Sequence, residues 1–129
     1  MLTSVPGSSE YFLGSVVSYA NSVKHGVLGV SEEILKEHGA VSSECVSAMA
    51  DGVRKLTGSD FSVATSGIAG PGGGSDEKPV GTVWIAVSSQ KGTETFRLLF
   101  NSDRKRNIER FSSSALHILL NKIRKELIN

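Results

Sequence analysis

Three groups of residues in this chain are of types that do chemistry. The first is Ser8-Ser9 with Tyr19 and Lys24. A serine hydroxyl is a poor nucleophile until a base takes its proton. A lysine serves as that base when burial disfavours its ammonium form. Serine–lysine pairs are one variant of the serine–histidine arrangement. Spacing alone does not single this pair out, because the chain holds twenty serines and any lysine lies near several.

The second group is the run Gly67-Ile68-Ala69-Gly70-Pro71-Gly72-Gly73-Gly74, in which five of eight residues are glycine. Glycine lets a ligand approach main-chain N–H groups closely, and successive N–H groups in such turns form an anion nest. No Gly-Lys-Ser/Thr follows, so this is not the nucleoside-triphosphate loop. No helix clearly follows either, as a dinucleotide fingerprint requires. A flexible connector has the same composition. Pro71 and the pair Lys78-Pro79 stiffen the run, which a mere linker does not need. The third group is Asp103-Arg104-Lys105-Arg106, where a planar guanidinium and a helix start both suit phosphate. An ordinary solvated first turn reads the same way.

Other chemistries find less support. His25, His38 and His117 show no metal-ligand spacing and have no partner cysteines. They read as surface or satisfied residues, with His25 notable for following Lys24. No Gly-x-Ser-x-Gly elbow is present. Cys45 is the one cysteine, so no internal disulfide forms, which suits a reducing cytosol. It falls at an apolar helix position and reads as a small core residue. Neither a metal nor a cofactor is expected.

The elements that must position these groups follow from patterning. The 129 residues fit one domain spanning 1–129, and 39% hydrophobic content suffices for a core. The net charge of +1 is mixed rather than blocked, which excludes the basic stripe of a nucleic-acid binder. No apolar run reaches a membrane span and no signal peptide is evident, so a cytoplasmic protein without nucleic-acid or membrane partners is expected. Gly14–Asn21 reads as a strand from its β-branched and aromatic content. Ser22–Leu28 reads as a short helix or turn. Ser31 caps a helix that Gly39 stops, and a longer helix runs from Ser43 to Leu56. Phe61–Thr65 and Val80–Ser89 read as strands, and Thr93–Phe100 pairs back as a hairpin. A helix to about Leu127 presents Ile108, Phe111, Ala115, Leu119 and Ile123 as its apolar face. The expected fold is α/β, a layered α/β/α sandwich whose mixed sheet contains an antiparallel hairpin.

Several blocks together carry a resemblance. They are Pro6-Gly7-Ser8-Ser9, Phe12-Leu13-Gly14, Val17 through Lys24, Leu28-Gly29-Val30, and His38 through Ser42. The clearest is Ser66 through Gly74, continuing through Lys78-Pro79-Val80-Gly81-Thr82-Val83-Trp84. In order and spacing, from about residue 2 to residue 104, the chain resembles the CinA C-terminal domain family. The final helix matches only in pattern.

The resemblance implies a nicotinamide-nucleotide amidase, which converts nicotinamide mononucleotide and water to nicotinate mononucleotide and ammonia in pyridine-nucleotide salvage and NAD metabolism. It places the nucleophile on Ser9, with Tyr19 and Lys24 as partners. Ser66 takes the place of a hydroxyl residue before the glycine loop. The loop residues Gly67, Gly70, Gly72 and Gly73, together with Arg104, are the expected substrate-binding positions. The partner is a small nucleotide, and a homo-oligomer such as a dimer is expected. Members of the family carry an earlier helix, a strand and an Ala-Glu-Ser-Cys-Thr-Gly-Gly turn into another helix, which this sequence lacks. The alternative reading is therefore a nucleotide-binding module of the same fold with impaired catalysis. The competence and damage-inducible label that the family carries draws no support from any residue here.

Overall fold

The computed structural model describes residues 2–128, so Met1 and Asn129 fall outside it. Two short 3-10 turns, Leu2–Ser4 and Ser8–Glu10, open the chain. Four helices follow: α1 (Asn21–Gly26), α2 (Glu32–His38), α3 (Ser43–Thr57) and α4 (Arg104–Ile128). The strands are β1 (Phe61–Gly67), β2 (Thr82–Ser89) and β3 (Gly92–Leu99), ordered β1-β2-β3 in one sheet.

The sequence of β2 explains the layering. Its apolar residues, Val83-Trp84-Ile85-Ala86-Val87, are consecutive rather than alternate. Successive side chains of a strand point to opposite faces, so such a run needs cover on both. Trp84 and Ala86 pack with Cys45, Val46, Met49 and Ala50 of α3. Val83 and Ile85 pack with Phe111 and Ala115 of α4. Ala64 lies opposite Ala86 and Val63 opposite Val87, so β1 divides its side chains in the same way. The result is the expected α/β/α arrangement. The sheet itself differs from expectation, since both pairings are antiparallel. The reason lies in the connections. The glycine loop and the tight turn at Gln90 and Lys91 contain no helix, and parallel neighbours require a long crossover.

Local signals set the helix ends. The hydroxyl of Ser31 accepts from Ile34 N and that of Ser42 from Cys45 N, each satisfying an otherwise orphaned donor. Gly39 and Gly58 end α2 and α3. Inside α3, Gly52 has another task. A Cβ there would run into the carbonyl oxygen of Leu28, so the helix backbone rests directly on the segment that follows α1.

Two further expectations are corrected. Residues 12–19 carry no regular secondary structure and pair with no strand among the described residues, so no strand forms over Gly14–Asn21. Valine and tyrosine favour extended backbone, but a ladder also needs a neighbour. On α4 the expected face holds at Phe111 and Ala115 but not at Ile108. Ile108 is 44% exposed, while Asn107, Phe111, Ala115 and Lys122 point inward. Lys122 is tolerated there because its Nζ lies 3.0 Å from both Glu94 Oε1 and Glu126 Oε2. Burial alone would lower the Lys122 pKa. Its hydrogen bonds to Glu126 and Glu94 outweigh that and hold it above the usual lysine value. The hydroxyl of Ser89 bonds to both oxygens of Glu126 and, with Lys122, keeps that carboxyl below its ordinary value. Among the described residues no helix is long and apolar enough to cross a membrane.

This packing separates two isoleucines. Ile85→Ala is expected to lower the free energy of urea unfolding by about 3 kcal/mol, and Ile108→Ala to change it by less than about 0.5 kcal/mol. Equal losses would place Ile108 in the core after all.

Candidate active site

Lys24 is the most unusual side chain of the fold. Helix α1 is short and held at both ends. Lys24 N bonds to Ala20 O, and Val30 N bonds to Lys24 O. The His25 ring, through Nδ1, lies 2.7 Å from Val30 O, which makes this histidine a structural tie. So anchored, α1 turns Lys24 inward until it is only 6% exposed. Its Nζ donates to Ser18 O at 2.7 Å and to Tyr19 O at 3.2 Å. No carboxylate pairs with it among the described residues.

The far end of the glycine loop reaches the end of α2. Lys78 Nζ donates to His38 O at 2.6 Å. The positive charges of Lys24 and Lys78 both act on the buried thiol of Cys45. Burial pushes that thiol up, and the two ammonium groups only partly oppose the shift.

The side chains of the other two expected members of the centre are not hydrogen-bonded to Lys24. Ser9 lies in the second 3-10 turn, which Gly7 enters with φ +85°. Ser8 is buried there and Ser9 faces solvent. Tyr19 lends its carbonyl to Lys24, but its side chain leaves the residue 84% exposed. Neither the Ser9 hydroxyl nor the Tyr19 hydroxyl makes a hydrogen bond among the described residues. The structure thus brings the Ser18-Tyr19 backbone to Lys24 and leaves the Ser9 hydroxyl unbonded to it.

The glycine run proves to be a built loop. Ile68 N bonds to Thr82 O and Gly81 N to Ile68 O, which closes its base. A turn from Ser75 to Lys78 closes its far end. Gly70 has φ +88°, and a Cβ there would collide with Cγ1 of Val80, so the loop lies flat on that valine. The N–H groups of Ala69, Gly70, Gly72, Gly73 and Gly74 make no hydrogen bond among the described residues. Ser66 is half-buried at the end of β1 just before them, opposite Trp84. These donors are what an anion nest needs.

Helix α4 holds the loop in place. Arg104 Nη1 donates to Gly70 O at 2.9 Å. Asn107 Nδ2 donates to Ala69 O at 3.0 Å and to Ser102 O at 2.9 Å. Sequence reasoning missed Asn107. Its only signal is a polar residue one turn before Phe111, on the face the core requires. The helix start is also already capped by an anion, because Asp103 Oδ1 accepts from Arg106 N. An anionic ligand here would therefore rely on the Arg104 guanidinium and the loop N–H groups. His38 lies beside Glu37 and Glu44 at accessible positions. Among the described residues no group of His, Cys, Asp and Glu could hold a metal ion.

Comparison with known proteins gives the family and the fold. The family model of the CinA C-terminal domain matches residues 1–123. A CinA-like protein of Pseudothermotoga lettingae is 47% identical over 119 residues, which is 92% of this chain and 29% of that protein. A CinA-like protein of Desulfosudis oleivorans is 51% identical over 124 residues, 95% of this chain and 30% of that one. The chain thus spans about 30% of the length of these relatives. Among solved structures, the competence damage-inducible protein A of Klebsiella pneumoniae superposes with a TM-score of 0.90 at 37% identity. The match covers 95% of this chain and 76% of that one.

The position of Cys45 generates a direct test. In the folded chain it should resist thiol reagents such as dithionitrobenzoate and react only as fast as the chain unfolds. Labelling within seconds under native conditions would reveal an accessible thiolate beside Lys24.

Proposed function

The chain belongs to the CinA C-terminal domain family, and on that footing we propose that it is an amidohydrolase converting nicotinamide mononucleotide and water to nicotinate mononucleotide and ammonia. The observation that carries this reading is the contrast between two buried lysines. Lys122, 7% exposed, is neutralised by two carboxylates. Lys24 is as deeply placed and, among the described residues, meets only backbone carbonyls. Burying an ammonium without a counter-ion is expensive, and such a cost is tolerated most readily where the amine does chemistry.

On this reading Lys24 takes the proton of Ser9 as the serine oxygen attacks the carboxamide carbon. The Ser9–Lys24 hydrogen bond this needs forms with substrate in place, since catalytic hydrogen bonds often tighten only once substrate is bound. Main-chain N–H groups and Ser66 stabilise the tetrahedral oxyanion, one such donor being worth about 3 kcal/mol. The C–N bond breaks, the nitrogen leaves as ammonia with a proton from Lys24 or Tyr19, and an ester to Ser9 remains. Water then attacks that ester, releases the carboxylic acid and restores the serine hydroxyl. Gly67, Gly70, Gly72, Gly73 and Arg104 hold the 5′-phosphate, a remote contact that positions the amide. The partner is thus a small nucleotide and the compartment the cytoplasm. In a homo-oligomer a second copy would cover the exposed Val17 and Tyr19.

One observation favours a second reading. With the Ser9 hydroxyl unbonded and Tyr19 largely in solvent, the chain would bind the mononucleotide without turning it over. Ammonia release by the purified chain, read beside calorimetric titration with the mononucleotide, separates the two.

For the enzyme, Ser9→Ala and Lys24→Met should each lower kcat by about a thousandfold or more while the fold persists. Lys122→Met should lower the unfolding midpoint and leave the turnover of the folded fraction intact. Undiminished ammonia release by Ser9→Ala would remove the nucleophile. Arg104→Ala should raise KM for the mononucleotide by about tenfold, with nicotinamide riboside, which lacks the phosphate, much less affected. Equal effects on both substrates would remove the phosphate role.

A further inference from the structure

Asn107 is fully buried, yet half of its amide is idle. Its Nδ2 makes two bonds, to Ala69 O and Ser102 O. Its Oδ1 is buried with no partner among the described residues. A buried acceptor left unmade is a cost that an apolar side chain would avoid. The position therefore selects for the donor half. What that half does follows from peptide geometry. A trans peptide unit is planar, with its C=O and the next N–H pointing in opposite directions. The bond from Asn107 pulls the Ala69 carbonyl towards α4 and so turns the Gly70 N–H away from α4. That N–H has no partner among the described residues. Arg104, three residues earlier on the same helix, pins the Gly70 carbonyl. Pro71 contributes no N–H at all, which leaves Gly70 as the donor whose direction the clamp fixes.

We propose that Asn107 is a positioning residue that aims the Gly70 N–H at the phosphate monoester of the substrate. This rests on the nucleotide reading above. The asparagine itself never touches the ligand. It holds the Ala69–Gly70 peptide plane before binding, so that no ordering is left to be done when the phosphate arrives.

The test uses Asn107→Asp, which keeps the shape and replaces the donor with an acceptor facing two carbonyls. Calorimetry should show Kd for nicotinamide mononucleotide raised about tenfold, with Kd for nicotinamide riboside changed less than about twofold. A parallel loss for both ligands, or no loss for the mononucleotide, overturns the proposal. If the variant does not fold, the wild-type chain decides by amide NMR. Addition of the mononucleotide should move the Gly70 N–H resonance, and addition of the riboside should leave it in place. A Gly70 resonance unmoved by the mononucleotide overturns the proposal equally. Ammonia release by the wild type is scored separately. A chain that shows the calorimetric split but releases no ammonia would lose the enzymatic reading and keep the role of Asn107.

Discussion

The cover on both faces of β2 is the constraint from which the rest of the structure follows. Five consecutive apolar residues in one strand oblige α3 to lie on one side and α4 on the other. Once those two helices are placed, their starts are placed as well. The beginning of α4 meets the carbonyls of the glycine loop, and α3 carries Cys45 to where the Lys24 and Lys78 charges are felt. The candidate centre lies around this sheet and its loop, built from short segments that have few apolar contacts of their own. Loops held by a rigid scaffold are where binding and chemistry concentrate.

The two ends of α4 show the same physics put to different uses. At its C-terminal half, a buried ammonium is enclosed by carboxylates and a serine hydroxyl, and every charge is answered. At its start, polar groups face carbonyls of a loop that keeps its own N–H donors free. The first arrangement fixes the helix against the hairpin. The second fixes a loop without filling it.

Much of this was legible in the sequence because local rules sufficed. Ser31, Gly39 and Gly58 marked helix ends through caps and turns that do not depend on the rest of the chain. The continuous apolar run of β2 likewise announced a strand. What escaped had its cause at a distance. Residues 14–21 have strand-forming types, but a strand is a relation with a neighbour, and none lies beside them among the described residues. Ile108 fits an apolar period, yet the face turned inward carries Asn107, because the Ala69 and Ser102 carbonyls need an amide. Lys122 is buried only because Glu94 is brought across from another element. Of the candidate site, the glycine loop and Arg104 were visible as types, and the structure joins them directly. That Lys24 would be buried without a counter-ion among the described residues was not readable from spacing, and neither was its choice of the Ser18 and Tyr19 carbonyls as partners.

The bare backbone at Gly52 has a bearing on how this site tolerates change. Because main chain touches main chain where α3 meets Leu28, the depth of α1 is set by a contact that owes nothing to side-chain identity. Any side chain at position 52 would push that segment, and the amine carried by α1, away from α3. The gauge that keeps it there is the one place with no side chain to vary, so an ancestral population exploring neighbouring substitutions would retune packing long before it disturbed that height.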